Sequence, residues 1–170
     1  MEIKERFLNY VNFDTQSDSY SHTVPSTSKQ LKLGNYLVEE LKSLGIENAK
    51  IDEFGVVYGT IPSNNNHQGD VIGFIAHMDT SFDMSDTDTK PKRMVYQGGD
   101  VELNSDGPIV LSAKEFPEIL PYVGQEIIFT DGTTLLGADD KAGITAILSA
   151  AEYLIFHPEI PHGDICFGFT

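Results

Sequence analysis

Two short segments carry residue types that could do metal chemistry. His77-Met78-Asp79 directly follows the apolar run Val71-Ile72-Gly73-Phe74-Ile75-Ala76. Residues two apart in an extended segment project to the same side, so the Asp79 carboxylate can hold one imidazole nitrogen of His77 and leave the other to bind a cation. Asp139-Asp140-Lys141 stands at the mouth of the apolar stretch 142–156, where a carboxylate can project into a pocket or bridge two cations. Each segment also has a structural reading. A lone His-x-Asp is more often a hydrogen-bonded pair or a helix cap, and acidic residues are favoured at helix N-termini without any ligand. The acidic stretch holding Asp79, Asp83, Asp86 and Asp88 lacks the spacing and terminal Glu of a calcium loop and reads as solvated. His22, His67, His157 and His162 read as surface histidines, and Cys166, inside an apolar run, as core rather than nucleophile.

The surrounding pattern says what must position these groups. Ile3, Phe7, Leu8 and Val11 share one face of a first helix. A second helix is expected from Pro25 and Ser26 through Leu33, Leu37, Leu41 and Leu44, with Gly45 as its stop. Strands are expected over 49–54 and 56–61, divided by Gly55, and at 109–111 and 127–129. The runs 71–76 and 165–169 read as strands buried on both faces, and 142–156, apolar nearly all round, as a buried helix. The stretch 80–107 is polar and rich in Asp, which predicts an exposed loop or hairpin excursion. Strands alternating with helices define the α/β class, with a largely parallel sheet and flanking helices in three layers. Such sheets take ligands at the carboxyl ends of their strands, where both chemical segments fall.

Composition bounds the partners. The chain has 170 residues, enough for one domain, with 40% apolar and 22% charged residues, as in a soluble globular protein. Eleven Lys+Arg against 26 Asp+Glu give a net charge of −15, which argues against nucleic acid and anionic membrane surfaces. The single Cys166 excludes an intrachain disulfide and a thiolate zinc knuckle, and suits the cytoplasm. No leader-like run opens the chain and no apolar stretch is long enough to span a membrane. The chain stops at Thr170, directly after a strand-like run. Termini usually lie at domain surfaces, so a fragment is expected.

Taken together, Ile75-Ala76-His77-Met78-Asp79-Thr80 and Thr133-Thr134-Leu135-Leu136-Gly137-Ala138-Asp139-Asp140-Lys141-Ala142-Gly143 resemble the zinc-dependent exopeptidases of the peptidase T type, the tripeptide aminopeptidases. Arg6-Phe7-Leu8-Asn9-Tyr10-Val11, the helix 34–44 and Leu120-Pro121-Tyr122-Val123-Gly124-Gln125 extend the resemblance along the whole chain. It implies a zinc-exopeptidase-like catalytic domain with two zinc ions per complete active site. His77 would bind one zinc, Asp79 would orient that imidazole, and Asp139 would bridge both ions. It further implies that 1–170 is the N-terminal part of that domain. The paired-glutamate segment, with the general base and a further ligand, and the inserted lid domain would then lie outside this chain. Short peptides are the implied substrates and a homo-oligomer is a possible state. A fragment lacking the base would be inactive. Two alternatives stand beside this reading: another amidohydrolase of the superfamily (dipeptidase, carboxypeptidase or amino-acid deacylase), and a non-catalytic acidic α/β module.

Overall fold

The chain runs in the order α1 (Ile3–Val11), α2 (Gln30–Ser43), β1 (Lys50–Ile51), β2 (Val57–Ile61), β3 (Ile72–Ala76), β4 (Lys92–Val95), β5 (Val101–Glu102), β6 (Val110–Leu111), a 3-10 helix (Pro117–Tyr122), β7 (Glu126–Phe129), α3 (Ala138–Phe156) and β8 (Ile165–Phe169). The computed structural model describes residues 1–65, 69–105, 107 and 109–170, so His67 lies outside the described residues. Contacts divide them into two compact units, Met1–Phe82 with Gly137–Thr170, and Asp83–Leu136. No helix among the described residues is long and apolar enough to cross a membrane.

In the first unit four strands hydrogen-bond in the order β1-β2-β8-β3. Only β3 and β8 run parallel, with α3 in the crossover between them; β1, β2 and β8 pair antiparallel. The sheet is therefore mixed rather than largely parallel, because the short turn at Gly55 can only fold β2 back against β1. Val57 and Ile61 of β2 lie opposite Phe169 and Ile165 of β8, and all four are buried. Leu33, Leu37 and Leu41 of α2, at helical spacing, join Ile144 and Leu148 of α3 in the same core. The opposite face of the sheet stays open, with Ile75 at 75% exposure. The class is α/β with flanking helices, and among the described residues the helices cover one face.

Three sequence expectations change accordingly. β3, expected to be buried on both faces, is an edge strand with four of its five residues exposed. The helix α3 buries Ile144, Leu148 and Ala151 and exposes Tyr153 and Phe156. Cys166 is half-buried, its Sγ 3.4 Å from Thr60 Oγ1. The helices themselves are tied by one guanidinium. Arg6, 1% exposed, donates from Nε to Glu40 Oε1 at 2.8 Å and from Nη1 to Ser149 Oγ at 2.7 Å, and pairs with Glu152. Tyr10 Oη donates to the other Glu40 oxygen at 2.6 Å.

The second unit pairs β4 with β7 and β5 with β6, both antiparallel, around Tyr96, Val101 and Phe129. The stretch 80–107, expected as an exposed excursion, thus contributes two strands and a buried tyrosine. Its strand partners lie at 110–111 and 126–129, a pairing that no local pattern announces. Asp86, read as solvated, is 2% exposed, and its carbonyl accepts from Thr89 Oγ1 at 2.9 Å.

Candidate metal centre

His77 leaves the carboxyl end of β3, held there by the pairing of Ala76 with Phe169 and by two further bonds beyond the strand ends. Met78 N donates to Thr170 O at 2.6 Å, and Thr170 N to Ala76 O at 3.0 Å. The alternation of the extended segment buries Met78 and leaves His77 and Asp79 on the other side. Asp79 Oδ1 and the Asp79 carbonyl each lie 3.0 Å from His77 Nδ1. On the far side of the ring, Nε2 lies 2.9 Å from Asp139 Oδ1.

Asp139 reaches that position because the chain is not helical there. Gly137 caps α3 in the left-handed region at φ 72°, and Asp139 and Asp140 have non-helical angles joined by a cis peptide, so the regular helix begins at Lys141. A Cβ at Gly137 would meet Thr80 Cγ2 at 3.2 Å as well as forcing an unfavourable φ. Asp140 turns back to accept from Gly143 N at 3.0 Å. Gly143 is required by that cap, since any Cβ would collide with the Asp140 carboxylate.

Electrostatically the ring sits between carboxylates. Burial works to lower the His77 pKa, but the hydrogen bond to Asp139 and the charge of Asp79 outweigh it, and the net shift is upward. When Nδ1 carries a proton donated to Asp79, the lone pair of a neutral Nε2 faces an Asp139 oxygen at 2.9 Å. Two lone pairs at that distance repel, so a second proton or a cation must lie between them. Ligand atoms of His77, Asp139 and Asp140 all fall within 4.8 Å of one another. One imidazole nitrogen with carboxylate oxygens and no thiolate is a donor set that zinc accepts. Donors on a tetrahedral zinc lie about 3.4 Å apart, so His77 and Asp139 need part by only about 0.5 Å to share an ion. The donors present fit such a metal; with an Asp140 oxygen held by Gly143 N, His77 and Asp139 by themselves are fewer than the three protein ligands a catalytic zinc normally has.

Thus His77, Asp79 and Asp139 come together at one place. Asp140 caps the helix, as acidic residues at helix N-termini do, and also stands within ligand distance. His157 lies elsewhere, 2.9 Å from Glu159, and His162 Nδ1 is 2.8 Å from Gly163 O.

The fold is shared with solved exopeptidases. The aminopeptidase PepT of Bacillus cereus superposes with a TM-score of 0.63 at 23% identity, over 99% of this chain and 35% of that one. A tripeptidase of Staphylococcus aureus gives 0.61 at 26%, over 99% and 35%. No family model matches the sequence. Within that group the chain resembles peptidase T. It is 57% identical to Peptidase T of Clostridium acetobutylicum over 170 residues, 99% of this chain and 42% of that protein. With Peptidase T of Desulfitobacterium hafniense it is 56% identical over 169 residues, 99% and 41%. The chain therefore spans about two-fifths of the length of the relatives it matches.

Proposed function

We propose that the chain supplies part of the active site of a zinc aminopeptidase that releases the N-terminal residue of short peptides, tripeptides first among them. The observation that carries this is the 57% identity to a peptidase T over 99% of the chain, an aligned length that spans both ligand segments. Zinc, when bound, polarises the scissile carbonyl and makes water nucleophilic near neutral pH. His77 offers Nε2 as a ligand, while Asp79 accepts the Nδ1 proton and fixes the tautomer and the ring plane. Asp139, with its side chain 94% exposed, can turn one oxygen to each of two ions. Asp140 keeps its carboxylate on the helix through Gly143 N. None of these residues is free to act as general base, because each is committed to a metal or to its neighbour. A cytoplasmic setting belongs to the same reading, supported by the lone half-buried thiol.

The test is to assay the protein carrying this chain, with zinc, against a free tripeptide, its N-acetylated form and a dipeptide. Release of the first residue from the free tripeptide is expected. Cleavage of the blocked peptide would overturn the aminopeptidase assignment in favour of a deacylase or carboxypeptidase. Residues 1–170 alone are expected to show no turnover of the tripeptide.

A further inference from the structure

The stretch 13–17, just beyond α1, is hydrogen-bonded to both halves of the candidate centre. Lys141 Nζ donates to Phe13 O at 2.7 Å. Thr80 N donates to Thr15 O at 3.2 Å, and Thr80 O accepts from Ser17 N at 3.0 Å and Ser17 Oγ at 2.8 Å. Thr15 and Thr80 are both buried. Lys141 follows the two aspartates and is fully buried, with its side chain lying along Gly137, where an added Cβ would be 3.3 Å from Nζ. Its own carbonyl accepts from Thr145 Oγ1 at 2.7 Å. A lysine is among the costliest side chains to bury, and packing alone would be served better by a leucine or methionine.

We infer that Lys141 is a positioning residue of the metal centre: through Phe13 and the 13–17 stretch it fixes the Asp139–Asp140 turn relative to the His77–Thr80 segment, setting the ligand separation before an ion arrives. The inference rests on the metal-centre reading above. Lys141 acts through the backbone of 139–141, and its contribution is preorganisation of donors that would otherwise have to be ordered on binding.

Cobalt(II) titration of the whole protein tests this, with the visible band, competition against a chromophoric chelator and the unfolding midpoint all recorded. Lys141→Met keeps the apolar stem and removes every donor. It is expected to lower cobalt affinity about 10- to 100-fold and to shift the visible band, with Lys141→Arg recovering part of the loss. A folded Lys141→Met protein with wild-type affinity and band overturns the inference. Should Lys141→Met not fold, Ser17→Ala replaces it, because it removes one of two bonds to Thr80 O and leaves the core untouched. A several-fold loss of affinity at an unchanged unfolding midpoint supports the inference, and unchanged affinity overturns it. A wild-type protein that takes up no cobalt brings down the metal-centre reading and this inference with it. Wild-type uptake with indifferent variants brings down this inference alone.

Discussion

Helix α3 carries two polar clusters, and they are built in opposite ways. Near its middle, Ser149 and Glu152 meet Arg6, a guanidinium only 1% exposed whose donors reach Glu40, Ser149 and Glu152. At its N-terminus, Asp139 meets His77 with its side chain 94% exposed. The first cluster is closed: charges of opposite sign pair with one another, and burial is tolerable because each guanidinium nitrogen has an acceptor. The second is open: it gathers carboxylates at both nitrogens of one ring and leaves the Asp139 side chain facing water. A structural cluster consumes its own bonding capacity, whereas a binding cluster keeps some for a ligand.

Four measurements can break or sharpen that contrast. Arg6→Met should have the largest effect, since it leaves Glu40 and Glu152 without their shared cation. Removing one partner of a buried ion pair costs about 3 to 5 kcal/mol, to be read from urea unfolding, and zinc affinity should stay within about twofold. A matching loss of zinc binding would mean that the clusters are one system. Asp139→Ala should do the reverse. It removes a ligand worth about 3 kcal/mol, given zinc binding energies of about 10 to 16 kcal/mol shared among four ligands, and calorimetric zinc titration should find uptake lost at an unchanged unfolding midpoint. Asp79→Asn keeps the shape but weakens the hold on Nδ1, with a loss of about 10- to 100-fold in zinc affinity; equal affinity would remove Asp79 from the centre.

The smallest effects concern pH, and here the clusters have opposite signs. Glu152 is held below its ordinary pKa by the N-terminal ammonium and Arg6. Its contribution to stability is complete above the ordinary value of 4.5 and is lost as pH falls through the depressed folded value. His77 has its pKa raised above 6.5. Its contribution to the metal-free fold is complete below 6.5 and disappears as pH rises through the raised value. Zinc competes with that proton, so zinc affinity should climb over the same rise in pH. Denaturation midpoints from about pH 2 to pH 9, with zinc titrations over the upper half of that range, separate the two, and Glu152→Gln should flatten only the acid limb.

The sequence was most legible where a signal is local. Leu33, Leu37 and Leu41 reported α2, and the two-residue spacing of His77 and Asp79 anticipated their approach. The helix start was less clear: Pro25 and Ser26 suggested it, yet α2 begins at Gln30. What stayed illegible depends on distant partners. Apolar content told nothing about which face of β3 would be covered, because an edge strand and a central one can share a composition. Within 83–136, β4 and β5 were hidden for the same reason, whereas the apolar runs 109–111 and 127–129 announced β6 and β7. Lys141 shows the limit at the centre itself: a buried ammonium looks like a surface charge until the 13–17 stretch is seen beside it.

The outer rim of β3 has a colloidal consequence. Its hydrogen-bonding partner among the described residues is β8 alone, and Ile72, Phe74 and Ile75 are 57%, 46% and 75% exposed. Residues 71–76 carry no charge and no proline, and Asp70 at the entry is the charge that flanks the run. A concentrated solution of this chain would then set that adhesive rim against the mutual repulsion of a net charge of −15, so turbidity should rise with added salt.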